Sequence, residues 1–227
     1  MTKMFATIPR KKGITEQQFH DHWRHPHGTL SRKISTITSY VQSHKIHSSY
    51  VPAADCIYDG VAEVWYDNLT DALKMKDEPA YVRYNIPDEP LFVDMDGLKF
   101  MLTQEEVVDS RINILTSLVD ADVAWASESA PVAVKLLQFI AIDGNPQWAA
   151  DDDIALARRL GAFRHVRSHP IKAVHGDNPP FLGVRELFWP TRSVFEARIV
   201  QAPDELGQLL ASGGAASVFL AQAERVI

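Results

Sequence analysis

A single cysteine, Cys56, stands in 227 residues, so an internal disulfide is excluded and the chain suits a reducing cytoplasm. Long apolar runs are missing as well. Lys135 and Gln138 interrupt the longest candidate, and no segment reads as a membrane span. The opening residues Met1-Thr2-Lys3-Met4-Phe5 lead directly into strand-like sequence with no signal-peptide core. There is no basic excess: 23 Lys and Arg face 29 Asp and Glu, leaving a formal charge of −6 and no field to gather nucleic acid or anionic lipid. A Walker-type loop and a paired-glycine dinucleotide fingerprint are both absent, and Cys56 has no adjacent histidine to activate it as a nucleophile. These absences predict a soluble cytoplasmic protein without nucleic-acid or membrane partners. A homodimer is compatible with them.

What the chain does have is histidine in one place. Phe19-His20-Asp21-His22-Trp23-Arg24-His25-Pro26-His27-Gly28 holds four of its nine histidines beside a tryptophan. Histidine titrates near neutral pH, so such a run points to proton transfer or metal binding.

The second regularity is internal. Gly60-Val61-Ala62-Glu63-Val64-Trp65-Tyr66 aligns with Gly183-Val184-Arg185-Glu186-Leu187-Phe188-Trp189, and Ser43-His44 with Ser168-His169 at nearly the same offset. Each half reads as strand, helix, strand, strand, helix, strand. In the first half the strands are expected at 4–9, 40–46, 61–66 and 98–102. Thr15-Glu16-Gln17-Gln18 is a capping box, with Ile14 and Phe19 placed as a hydrophobic staple, so a helix starts there and runs to about Pro26 or beyond. A second helix begins at 70–76. In the second half strands are expected at 132–142, 166–174, 182–189 and 218–226, with helices at 152–161 and within 193–212. Residues 111–131 read as a linker between a unit at 1–110 and a divergent unit at 132–227. The fold class is α+β: two fused ferredoxin-like βαββαβ units that stack bare sheet faces into a barrel around a cavity.

Phe19-x-x-x-Trp23-x-x-x-His27-Gly28, Tyr40-Val41-Gln42-x-His44 and Asp59-Gly60-Val61-Ala62-Glu63-Val64-Trp65-Tyr66 together resemble the EthD-type proteins of the dimeric α/β-barrel superfamily, with the second half similar to the divergent copy of a tandem member. The resemblance implies a barrel with an apolar cavity. It also implies activity on small hydrophobic carbonyl- or phenol-bearing molecules, as cofactor-independent lyases, isomerases, cyclases, decarboxylases or oxygenases. The fold does not choose among these chemistries. The stretch 152–161 has neither tryptophan nor histidine, so a site built on the Phe-Trp-His helix is expected once per chain.

On a helical wheel Phe19, Trp23 and His27 share one face, His22 lies at its edge and His25 points away. His27 is either a general acid/base at the cavity mouth or a core histidine satisfied by a backbone carbonyl. Trp23 is a packing or substrate-contact residue, with His22 beside it. A metal site from His20, His22, His25 and His27 is disfavoured, because helical neighbours two apart do not converge and no carboxylate or cysteine pattern completes the set. On the next strand Tyr40, Gln42 and His44 share a face that would line a closed barrel. Glu63 and Trp65 share another. Glu63 is either a desolvated base or a structural ion pair, and its recurrence as Glu186 favours the pair.

The expected catalytic set is therefore His27, His44, Tyr40 and Glu63, with His22, Trp23, Trp65 and Gln42 binding substrate and no cofactor or metal. Proton-transfer chemistry of the lyase or isomerase kind is the leading expectation. A cofactor-free monooxygenase, or a non-catalytic binder of a hydrophobic ligand or haem, stands as the alternative.

Overall fold

The computed structural model describes residues 1–51, 56–110 and 132–227; the expected linker at 111–131 lies outside the described residues. Among the described residues, alternating β-branched and aromatic sequence forms eight strands: β1 (Thr2–Ile8), β2 (Ser39–Ile46), β3 (Gly60–Tyr66), β4 (Lys99–Ser110), β5 (Val132–Ile140), β6 (Arg164–Pro170), β7 (Gly183–Trp189) and β8 (Ala216–Arg225). Hydrogen bonding closes them into one antiparallel barrel in the order β1-β3-β2-β8-β5-β7-β6-β4. Both halves have the same internal order, β4-β1-β3-β2 and β8-β5-β7-β6, and they join along β2–β8 and β4–β6. This is the α+β architecture of two fused ferredoxin-like units.

Local chemistry sets the element ends. The Thr15 hydroxyl accepts from the Gln18 N–H at 3.1 Å while Gln18 Oε1 accepts from the Thr15 N–H at 2.8 Å, starting the helix Glu16–His22. His25 is extended (φ −145°, ψ 121°) in front of Pro26, so the helix breaks and winds on through Trp23–His27 as a wider turn into Gly28–Ser31. Three expectations shift. β4 continues to Ser110 because Thr103–Ser110 pairs with β6. β6 stops at Pro170, ahead of a short helix Lys172–His175, where a strand was expected to run on. The region 193–212 is two helices, Arg192–Gln201 and Pro203–Ser212, because Pro203 lacks the N–H that would continue the first.

The barrel interior is not an apolar cavity. Lys3, Glu63, Lys135 and Glu186, all essentially inaccessible, meet inside it. Lys3 Nζ lies 2.8 Å from Glu63 and 2.7 Å from Glu186; Lys135 Nζ lies 2.6 Å from Glu63 and 3.1 Å from Glu186. Each ammonium bridges both carboxylates. Glu105 adds a third carboxylate, 3.0 Å from Lys3, and takes the Trp65 indole N–H at 2.7 Å. Burial opposes ionisation of Glu63, but Lys135 and Lys3 outweigh it and hold the carboxyl well below its ordinary range. With three carboxylates against two ammoniums, one carboxyl is under-compensated. Burial, together with repulsion from Glu63 and Glu105, pushes Glu186 up to about 7. Phe5, Phe139, Phe219 and Val184 fill more of the interior.

Outside the wall the helices cover two separate apolar clusters. One contains Phe19, Trp23, Val64 and Phe92, and the other Leu136, Leu156, Trp189 and Phe195. A histidine is buried beneath each layer, His44 on β2 and His165 on β6, each 1% exposed. Burial, reinforced by the charges of Arg24 and His20, takes His44 down to about 2. Burial, reinforced by Arg185 and Arg167 against the pull of Asp153, takes His165 to about 4.

Two outcomes follow. Lys135→Met leaves Glu63 and Glu186 with one cation between them and should cost about 3–5 kcal/mol in urea denaturation, while adding Glu186→Gln recovers part of the loss. The unfolded chain binds protons on His44 and His165 near the ordinary pKa of about 6.5, whereas the folded chain does not. The contribution of the two histidines should be full above that pH and fall on acidification between about pH 6.5 and 5, by roughly 1.4 kcal/mol per pH unit for each. Glu186, held up in the folded chain, takes up its proton over the same window and offsets about one histidine's share, leaving a net loss. An unchanged urea midpoint across that window would contradict the assignment.

Candidate active site

Between the outer face of the first-half wall and its helical cover lies a narrow, partly open cavity of about 60 Å³. Its floor comes from alternate residues of β1 and β3, among them Met4, Ala6, Ala62 and Val64. Trp23 and His27 roof one side, and Tyr81, Asn85, Glu89 and Phe92 close another. The cavity therefore sits outside the barrel. Tyr40, Gln42 and His44, expected to line the barrel interior, project outward instead, because their neighbours Val41 and Ser43 take the inner face.

His27 is 8% exposed and its Nδ1 lies 2.9 Å from Asp88 Oδ2. His22 Nε2 lies 2.9 Å from the other oxygen, Asp88 Oδ1. An ionised carboxylate only accepts, so both imidazoles donate to it. This fixes His27 with its proton on Nδ1 and leaves Nε2 as an acceptor, with the Asn85 amide 3.5 Å away. Burial would raise Asp88, but the hydrogen bonds from His27 and His22 prevail and hold it below the usual carboxylate range. Asn85 is fixed in turn by donating to Ser31 Oγ at 2.8 Å. Phe92 packs against both rings, 4.9 Å from His22 and 5.0 Å from His27.

Tyr40 is held from behind. Its hydroxyl accepts from Trp23 Nε1 at 3.0 Å and from Gln42 Nε2 at 3.2 Å. Gln42 Nε2 also donates to the Trp23 carbonyl at 2.7 Å, so its Oε1 is left to accept from His44 Nε2 at 3.2 Å. His44 Nδ1 must then accept from His20 Nδ1, 2.8 Å away. His20, His44, Gln42 and Tyr40 thus form one hydrogen-bonded chain with a fixed donor direction.

Of the eight residues singled out in the sequence, the fold brings His27, Tyr40 and Trp23 to the cavity wall. His22 reaches it through Phe92, on which it stacks, and through Asp88, and Gln42 and His44 reach it through Tyr40 and Trp23. Glu63 and Trp65 are on the barrel side, in the ion cluster and beside it. His25 is exposed and bonds Thr29. Asp88, Asn85, Tyr81 and Glu89 were missed, because residues 81–91 carry no regular apolar period. The available signal was the spacing Tyr81, Asn85, Glu89, four apart on one face. Among the described residues no group of three or more His, Cys, Asp or Glu could hold a metal ion.

The second half repeats this arrangement over a different floor. Trp148 covers Gly183 as Trp23 covers Gly60: a Cβ on either glycine would come within 2.1 and 2.3 Å of the respective ring. His169 lies against Trp148 (5.3 Å) as His44 lies against Trp23 (4.4 Å). A tryptophan counterpart therefore exists, just ahead of the helix at Asp152–Arg159 where none was expected. The floor differs. Ala6 pairs with Ala62 across β1 and β3, and at the matching register Gln138 pairs with Arg185 across β5 and β7. Arg185 bonds Gln138 (2.5 Å), Asp153 (3.0 Å) and the Trp148 carbonyl, filling with a buried ion pair the space that two alanines leave open.

Residues 11–96 match the EthD domain family model. No curated protein matches the chain. Solved structures share its fold over nearly its whole length at low identity. An anthrone oxidase-like protein has a TM-score of 0.57 at 10% identity, covering 99% of this chain and 92% of its own. A candidate monooxygenase of Fusobacterium nucleatum subsp. nucleatum scores 0.54 at 6% identity, covering 100% and 92%, and a candidate chlorite dismutase scores 0.53 at 8% identity, covering 99% and 95%. At such identities the likeness concerns fold alone. The helix, the Trp23–His27 turn and the 81–91 segment that build the cavity all fall within the residues that are similar to the EthD domain, and these are set in a closed barrel of two like halves.

Proposed function

We propose that the cavity is the active site of a cofactor-independent enzyme in which His27 removes a proton from a small hydrophobic molecule bearing a carbonyl or phenol group. The observation that carries this reading is the His27–Asp88 contact: a carboxylate on Nδ1 fixes the tautomer whose Nε2 lone pair can accept a proton, in a pocket whose walls are largely apolar. His22 keeps Asp88 ionised and in place. Tyr40 polarises the substrate oxygen, with Gln42 and His44 acting on it as positioning residues, and Trp23 packs against the substrate. Glu63 and Trp65 contribute to the barrel rather than to the reaction.

In the proton-transfer step the substrate C–H or O–H bond breaks, the proton passes to His27 Nε2, and the electron pair settles on the substrate oxygen. Return of the proton at another position completes an isomerisation. Loss of a leaving group completes an elimination, and internal attack a cyclisation.

A second reading shares this first step: the carbanion or phenolate reacts with dioxygen, as a cofactor-free monooxygenase would have it. It is favoured by the whole-chain likeness to an anthrone oxidase-like protein and a candidate monooxygenase. Oxygen consumption stoichiometric with product selects it over a lyase or isomerase. A Soret band on the purified protein, lost in His27→Ala, would point instead to a haem binder.

On a panel of anthrones and hydroxyaryl ketones, His27→Ala and Asp88→Asn should each lower kcat by about 10²- to 10⁴-fold with smaller changes in KM. Full turnover by His27→Ala on a substrate that the unaltered enzyme converts would overturn the assignment.

A further inference from the structure

The cavity contains polar groups that the protein itself leaves without partners. Tyr66, fully buried, has a hydroxyl with no hydrogen-bond partner among the described residues. Tyr40 accepts two hydrogen bonds, from Trp23 and Gln42, and its own proton meets no acceptor among the described residues. A phenol has one proton and two lone pairs, so the only capacity left to Tyr40 is to donate. The two side chains are neighbours: Tyr40 is opposite Val64 across β2 and β3, and Tyr66 is the next residue of β3 on the same face. Both line the cavity with His27. A buried donor without an acceptor costs stability, and its persistence in a walled pocket calls for a ligand that supplies the acceptor.

We infer that Tyr40 and Tyr66 form a two-phenol cradle for the substrate oxygen on which negative charge develops, and that the substrate class is accordingly an enolisable ketone or a phenol. The inference rests on the reading of His27 as the base. Burial keeps both phenols above their ordinary range, so they stay protonated and serve as donors. When His27 Nε2 takes the proton, the electron pair released from the C–H or O–H bond becomes the enolate or phenolate oxygen that the two O–H groups face. Two preplaced donors in a pocket of low polarity stabilise that anion more than the neutral ground state, which is the requirement for lowering the barrier. Asn85 Oδ1 likewise has no partner among the described residues, and it is an acceptor, because its amide nitrogen is committed to Ser31. It selects substrates that carry a hydroxyl or N–H in addition to the ionising oxygen.

The test uses 4-nitrophenol, whose visible absorbance separates phenolate from phenol, with 4-nitroanisole as the neutral control. The unaltered protein should bind the probe as phenolate at a pH where the free compound is partly protonated. Tyr66→Phe and Tyr40→Phe should each weaken phenolate binding by about tenfold or more and leave 4-nitroanisole binding within about twofold. Tyr66→Phe should also keep or raise the urea midpoint, since it deletes an unpartnered hydroxyl; a purely structural Tyr66 would lower it. Absence of a phenolate preference, or an unchanged phenolate affinity in Tyr66→Phe, overturns the cradle. If His27→Ala abolishes turnover while Tyr66→Phe binds phenolate normally, the base stands and the cradle falls. If His27→Ala turns over fully while Tyr66→Phe loses phenolate, the cradle stands and the base falls.

Discussion

Two lysines and two glutamates facing one another inside the barrel decide where this protein can have a site. Lys3 and Lys135 each touch both Glu63 and Glu186, and none of the four reaches solvent. Removing such charges from water is costly, and only mutual contact at close range offsets it. The strands that deliver them must therefore keep their register, and the interior they occupy is unavailable to a ligand. What open volume the fold has is displaced outward, to the gap between the wall and the first-half helices. Register then acts a second time. The alternation that sends Glu63 inward sends Ala62 and Val64 outward, where they form the cavity floor.

Much of this was legible in the residues. The Thr15–Gln18 box marks a helix start because two side chains satisfy two orphan amides locally, and nothing distant is needed. The recurrence of Glu63 as Glu186 pointed to a structural pair, which the barrel interior supplies. The inward or outward sense of β2 was not legible, since Tyr40, Gln42 and His44 and their alternates Val41 and Ser43 are both buried. A strand covered on both faces carries no polarity signal. Asp88 escaped for another reason. It is brought to His27 by a chain of short irregular turns between Tyr81 and Leu91, whose path is set by tertiary packing.

The two halves show how one backbone plan serves different ends. Each sets a tryptophan over the glycine that opens its third strand and a histidine against that tryptophan. In the first half the floor beside this arrangement is a pair of alanines. In the second it is Gln138 and Arg185, tied to Asp153, and the space becomes polar core. The choice between pocket and filler is made at one cross-strand pair.

The seams carry a consequence for modularity. The half that holds the cavity borders the other half on both sides, through β2–β8 and β4–β6. Taken alone it would present two raw strand edges and one bare face studded with Lys3 and Glu63. Free edges of that kind recruit further strands. The second half thus supplies a lid for the sheet and a counter-ion set for its inner face, and the pocket it does not itself contain depends on it for a soluble scaffold.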